Sequence, residues 1–447
     1  MSAAPSKETK YPDSISSTVA AMQQRLAQLS KETEHPGSIP TVIASFLHFD
    51  TCFTIWVILS ALSVYISPSL HLNAAQQGLM VAIPTLSGSL FRFPIGLLSD
   101  RFSTKWIGVG ILLFLFIPLS LGWLIPMSFS ALLGIGLMLG VAGASFAVTL
   151  PLASRWYPPS QQGLVMGIAA AGNIITVIAN LFAPRLASIY GWHNVLGIAM
   201  IPLAMTLLAF LLMAKDSPTK PKRIPVSRYI TALRKTDLWW FCLLYSATFG
   251  GFVGLSTFLP QFFHNQYGLN AIDAGYLVAA AAFMGSIVRP LGGYLADKFG
   301  GVRTLTVVLA VTFVFYGLAS LLLPIGITAA LFIIGMAFLG IGSGAIFQLV
   351  PQCFQTELGV ATGLVGTFGG IGGFLIPIMM GYMNLSLNSY ASGWVVLADF
   401  AFIALIALRI LVILDRNWRS SWAATRKASS FSPSMTSLTW VSFHSGW

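Results

Sequence analysis

Two arginines stand where an arginine is costly. Arg92 lies in PTLSGSLFRFPIG and Arg289 in FMGSIVRPLGG, and both segments are otherwise almost free of charge. An unpaired arginine at membrane depth costs about 2.5–3.5 kcal/mol on insertion scales, so each must face a bundle interior and find a partner. A guanidinium stays charged and presents a planar fork of donors. That fork takes a small planar oxyanion or a carboxylate edge-on, through paired hydrogen bonds. Lysine would bring charge without that geometry. The internal carboxylates are few, Asp50 and Asp399, and pairing with them is the alternative to binding an anion.

The elements that hold these arginines follow from composition. Of 447 residues, 56% are hydrophobic and 8% are charged, against about 25% charged in a soluble domain. This excludes an ordinary soluble enzyme, a nucleic-acid-binding protein and a disordered scaffold. Twelve apolar runs follow one another, from 44–66 to 392–414, each near the roughly 20 residues that cross a bilayer as a helix. They are too long and continuous for barrel strands. The expected fold is therefore an all-α membrane protein with twelve transmembrane helices. Cys52, Cys242 and Cys353 form no CxxC pair, and the six histidines are scattered, so no metal site and no cofactor are expected. No Walker loop or nucleophile–base constellation suggests an enzyme. Residues 1–40 are polar and precede the first run, unlike a signal peptide.

The net charge of +11 is mostly topology. The longest polar connection, 215–237, carries Lys215, Lys220, Lys222, Arg223, Arg228, Arg234 and Lys235. The positive-inside rule makes it cytoplasmic. It follows the sixth helix, so both termini are expected on the cytoplasmic side of an inner membrane. Arg101, Lys105, Arg155, Lys298 and Arg303 fall on the same side, and the outer loops 67–75, 126–129, 263–271 and 384–391 lack Lys and Arg. Arg185, near the outer end of the fifth helix, is the exception. The expected organisation is a polar segment 1–43, a six-helix half 44–214, a basic linker 215–237, a second half 238–414 and a Ser/Trp-rich tail 415–447. No nucleic acid is expected as a partner; the bilayer is.

The halves repeat. GLMVAIPTLSGSLFRFPIGLLSDRF begins at Gly78 and GYLVAAAAFMGSIVRPLGGYLADKF at Gly275. Gly78 and Gly275, Arg92 and Arg289, Gly96 and Gly293, Asp100 and Asp297, and Gly172 and Gly369 all lie 197 residues apart. Internal repeats with a site between them are characteristic of secondary transporters. By this symmetry Arg92 and Arg289 should meet across one cavity and bind an anion. Two facing cations repel when the site is empty, which would couple filling to rocking of the halves.

GLLSDRF at 96–102 and GGYLADKFGGVR at 292–303 resemble the loop between the second and third helices of each half in the major facilitator superfamily. The resemblance implies that fold, with Asp100, Arg101, Asp297 and Lys298 as a cytoplasmic latch. Ser103 stands where the first copy usually has glycine. From about Phe46 to Ile413 the chain further resembles the nitrate/nitrite porter family, through PTLSGSLFRFPIG, AAAGN around Asn173 and GTFGGIGG at 366–373. This implies that Arg92 and Arg289 clamp the anion and that Asn173 is the polar residue of the fifth helix. It also implies that Tyr245 donates to the substrate and that Phe146 and Phe249 sandwich it. Gly172, Gly369 and Gly370 belong to glycine-rich helices that allow close backbone approach. Ile174 and Ile175 follow Asn173 where the family usually has small residues.

Proton coupling needs a titratable group inside the membrane. Asp50, in FLHFDTCF, is the best candidate, with His48 beside it, because burial favours the neutral form of a carboxyl group. Asp399 is a second candidate, and Glu357 reads as a loop residue. The FLHFD and TGLVGTFGGIGGF stretches look more like the uptake branch of the family, which implies proton-linked uptake of nitrate by a monomer. The alternatives are nitrate/nitrite exchange, transport of another small anion, or, outside transport, a membrane anion sensor.

Overall fold

The computed structural model describes residues 37–157, 165, 176–216, 233–354, 358–415 and 418. Eleven helical stretches are long and apolar enough to cross a membrane, and no strand occurs among the described residues. In chain order the helices are α1 (Ile39–Trp56), α2 (Ala74–Arg101), α3 (Thr104–Leu124), α4 (Phe129–Ser154), α5 (Thr176–Tyr190) and α6 (Trp192–Met213). They continue as α7 (Thr236–Tyr267), α8 (Ala271–Phe299), α9 (Gly301–Ala319), α10 (Ile325–Cys353), α11 (Leu358–Leu387) and α12 (Ala391–Leu414). The first part of the fifth expected span, with Gly172 and Asn173, lies outside the described residues.

Local chemistry sets the helix ends. Ser38, Ser103 and Ser128 accept hydrogen bonds from the backbone N–H of Thr41, Trp106 and Ala131, satisfying donors that a helix start leaves open. The turn before α9 is made differently. There Gly300 adopts φ +96°, a conformation that costs glycine little. Ser103 is its repeat counterpart, 197 residues earlier, and sits at φ −62°. The first half thus replaces a glycine turn with a serine cap.

Three of the irregular helices depart from regular geometry beside a candidate site residue. α4 tightens into a 3-10 stretch over Gly140–Ser145. α7 widens into a π-helical stretch over Ser246–Gly250. α8 is interrupted at Val288 and resumes at Arg289. Pro290 follows, and its missing N–H removes a helical hydrogen bond at the break. Departures of the first two kinds inside long helices often accompany function.

The chain folds as two compact units. The first comprises 1–73, 79–228 and 259–279, and the second 74–78, 229–258 and 280–447. In the first, α1 packs on α4 and α6, and α3 on α6. In the second, α9 packs on α10 and α12, and the π segment of α7 on α11. The buried Trp394 anchors the second core, 5.1 Å from Phe332 and 6.3 Å from Phe258. Leu113, Leu208 and Ile403 are exposed on α3, α6 and α12, an outer surface suited to an apolar solvent.

The repeat is also structural. In the second unit, a Cβ added to Gly78 would overlap the carbonyl oxygen of Pro377. In the first, a Cβ on Gly275 would overlap that of Asn180. Positions 180 and 377 are again 197 apart. Matched glycines therefore serve matched backbone contacts.

The positions assigned to the inner side converge at one end of the first unit. Gly37 N donates to Trp156 O at 3.1 Å, Trp156 Nε1 to Lys215 O at 3.1 Å, and Lys215 N to Thr41 Oγ1 at 3.3 Å. Arg155 Nη1 donates to Thr104 Oγ1 at 3.2 Å. Asp216 accepts from Lys105 N at 2.9 Å and from Ser103 Oγ.

Candidate functional site

Arg92 sits on unbroken α2 and is 7% exposed. Its Nε donates to Gly143 O at 3.1 Å. That carbonyl belongs to the 3-10 stretch of α4. The guanidinium carbon lies 5.6 Å from the Phe146 ring and 5.7 Å from the Trp56 ring. Cation–π contact of this kind is worth about 0.5–2 kcal/mol, more when dry. Phe146 is steadied in turn by Phe49 on α1, 6.0 Å away.

Arg289 opens the second part of α8. Its Nη2 donates to Tyr245 Oη at 3.5 Å, and its guanidinium carbon lies 4.8 Å from the Phe249 ring and 5.8 Å from that of Phe252. Tyr245 immediately precedes the π segment of α7 and Phe249 lies within it, and their rings stack at 4.9 Å. Phe347 of α10 packs edge-on against Tyr245 at 5.0 Å. Gly369 on α11 faces both rings, and a Cβ there would overlap Tyr245 and come within 3.0 Å of Phe249. Ser246 Oγ donates to Phe368 O at 2.8 Å and ties α7 to α11. Gly370 beside it is buried.

The structure therefore gathers the sequence candidates into two clusters. Arg92 joins Phe146 in the first unit, and Arg289 joins Tyr245, Phe249 and Gly369 in the second. Both clusters cradle a cation with π faces and neutral oxygens. Trp56, Gly143, Phe252 and Phe347 were absent from the sequence candidates. The spacing Phe49, Phe53, Trp56 on one face of α1 was the available signal.

The coupling candidates differ from one another. Asp50 is 8% exposed on α1, and its Oδ1 is buried with no hydrogen-bond partner among the described residues. His48 is fully buried in a structural role. Its Nε2 donates to Gly108 O at 3.1 Å, Nδ1 lies 3.6 Å from Cys52 Sγ, and the ring packs 4.7 Å from Phe210. Asp399 is exposed on α12, and Glu357 lies outside the described residues.

Of the latch residues, Asp297 accepts from Gln348 Nε2 at 2.7 Å, joining α8 to α10. Lys298 lies over Tyr294 and Phe299 of its own helix. Arg101 is exposed, and the side chain of Asp100 lies outside what is described. Arg185, the cation expected on the outer side, stacks over Tyr276 at 4.9 Å within the first unit. In the tail, Trp418 is buried, donates from Nε1 to Asp237 Oδ1 at 2.7 Å and packs 4.9 Å from Phe241.

Comparison with known proteins bears on the family and the fold. The sequence model of the Major Facilitator Superfamily matches residues 44–377. The "Nitrite extrusion protein" of Bacillus subtilis is 34% identical over 369 residues, spanning 81% of this chain and 90% of that protein. The "Probable nitrate transporter NarT" of Staphylococcus haemolyticus is 32% identical over 80% of this chain and 92% of its own. The "Probable nitrate/nitrite transporter NarK2" of Mycobacterium tuberculosis is 33% identical over 79% and 91%. Among solved structures, the nucleoside transporter NupG matches with TM-score 0.66 at 14% identity, over 83% of this chain and 99% of that one. A bacterial homologue of the human lysosomal transporter Spinster matches with TM-score 0.62 at 18% identity, over 86% and 96%. These two share the fold. With its all-helical architecture, its repeat and its matched arginines, this chain is a multi-pass membrane protein of the major facilitator superfamily and belongs to the nitrate/nitrite porters within it.

Proposed function

We propose that this protein carries nitrate, and nitrite as a related ion, across the cytoplasmic membrane by alternating access of its two six-helix halves. The observation that carries the reading is the matched pair of arginines, 197 residues apart, each with its guanidinium over an aromatic ring at 4.8–5.7 Å. A flat monoanion complements such a site. It accepts hydrogen bonds from guanidinium and phenol at its edge, while rings cover its faces. In this reading Arg92 and Arg289 bind one anion between the halves, Tyr245 donates to it, and Phe146 and Phe249 enclose it. By the resemblance, Gly172, Asn173, Gly369 and Gly370 belong to glycine-rich stretches that allow close backbone approach to a small ligand. The relatives' names support nitrate and nitrite over other small anions.

The direction of transport is proposed as uptake, with Asp50 carrying the coupled proton and both termini on the cytoplasmic side. Support comes from the buried, unbonded Oδ1 of Asp50. The convergence of Thr41, Lys105, Arg155 and Lys215 at one end of the first unit supports the orientation. A second reading is nitrate/nitrite exchange, favoured by the printed name of the Bacillus relative. The two separate in proteoliposomes. A pH gradient, acid outside, should drive uptake of labelled nitrate without internal anion. Uptake that ignores pH and requires internal nitrite assigns exchange. Absence of nitrate movement under both conditions would overturn the transport reading.

A further inference from the structure

We infer that Trp56 is a positioning residue for Arg92, holding the guanidinium in the orientation that reads a planar anion; this rests on the transport reading above. The indole is 3% exposed at the end of α1. Three helices hold it. Its Nε1 donates to Pro84 O of α2 at 2.8 Å. Its ring fills a slot between Gly88 of α2 and Gly143 of α4. A Cβ at Gly88 would lie 2.9 Å from Nε1, and one at Gly143 would lie 2.7 Å from Cε2. Gly143 is also the residue whose carbonyl takes the Nε of Arg92. One backbone position therefore touches both the indole and the cation.

The arrangement constrains the guanidinium in separate ways. The Nε bond to Gly143 fixes the rotation of the group about its stem. Trp56 and Phe146 lie at nearly equal distances from its central carbon, 5.7 and 5.6 Å. A tryptophan face attracts a cation more strongly than other rings do. Phe146 is half-buried and packs on Phe49, whereas the indole is hydrogen-bonded and wedged. Trp56 is therefore the more firmly held wall of the first half-site. The repeat supports the distinction. The position 197 residues on is Val253, and in the second unit the rings beside Arg289 come from Phe249 and Phe252. The two half-sites are unequal, and the rigid indole belongs to the first alone.

The test compares wild type, Trp56→Leu and Trp56→Phe in proteoliposomes, measuring KM and maximal rate of nitrate counterflow. Size-exclusion profile and melting temperature report folding. Trp56→Leu removes ring and anchor, and should raise KM about tenfold with maximal rate within about twofold, the scale of one lost cation–π contact. Trp56→Phe keeps a π face but loses the indole N–H, and should raise KM about threefold by the same scale. Discrimination between nitrate and the pyramidal chlorate ion should fall in both. If Trp56→Leu does not fold, Trp56→Phe decides alone. An unchanged KM and unchanged chlorate discrimination in a folded variant, or a loss confined to maximal rate, would overturn the inference. Failure of wild type to move nitrate would instead overturn the transport reading, so the two failures are distinguishable.

Discussion

The Tyr245 and Phe249 rings lie 13° from parallel with centroids 4.9 Å apart. They are four positions apart: Tyr245 immediately precedes the π-helical stretch Ser246–Gly250, and Phe249 lies within it. The two side chains share one face of α7, and both touch Arg289. Gly369 leaves just enough room for both rings. Gly369→Ala should therefore displace Tyr245 from Arg289 and reduce nitrate transport at least tenfold. Gly363 lies on the same helix, where an added Cβ would meet nothing within 4 Å. Gly363→Ala should leave transport within about twofold, since an exposed helical glycine gains from alanine. Paired uptake measurements check the contrast.

Arg289→Lys keeps the charge but removes the planar fork. It loses the Nη2 bond to Tyr245, and a point charge cannot engage two edges of an anion. Transport should be abolished while the protein remains monodisperse and folded. Wild-type uptake by this variant would remove the arginine from the mechanism.

Asp50→Asn separates carrying a proton from carrying an anion. The amide cannot titrate, so uptake driven by a pH gradient should disappear. Nitrate counterflow at equal pH should persist. Gradient-driven uptake in this variant would exclude Asp50 as the proton carrier.

The turn before α3 gives a prediction about stability. Ser103 caps the helix through Trp106 N and also donates to Asp216. Loss of a serine cap costs about 1 kcal/mol, whereas replacement by glycine costs a few tenths. Ser103→Ala should lower the melting temperature, and Ser103→Gly should lower it less. Thermal unfolding in detergent measures the order, and a reversed order would show that the cap contributes nothing.

What was legible in the sequence is what repeats locally. The spans, the offset of 197 and the two arginines depend on residue type and spacing alone; the structure places Phe146 beside Arg92, and Tyr245 and Phe249 beside Arg289. The backbone irregularities were not legible. The 3-10 stretch at Gly140–Ser145 and the π stretch at Ser246–Gly250 have the composition of ordinary apolar helix. Packing on neighbouring helices decides such departures, and that information is spread over α2 and α11. Trp56 was missed for a related reason. An aromatic residue in an apolar run is more often core, and its partners Pro84, Gly88 and Gly143 are distant in sequence. Gly172 and Asn173 fall outside the described residues, so their part in the site rests on the resemblance.

The seat of Trp418 on Asp237 and Phe241 bears on how the protein can be handled. A chain cut after Leu414 would leave Phe241 uncovered and the carboxylate of Asp237 without its indole donor, at the start of the helix that bears Tyr245. Affinity tags, fluorescent fusions and protease sites therefore belong beyond Trp418, where they leave this joint closed.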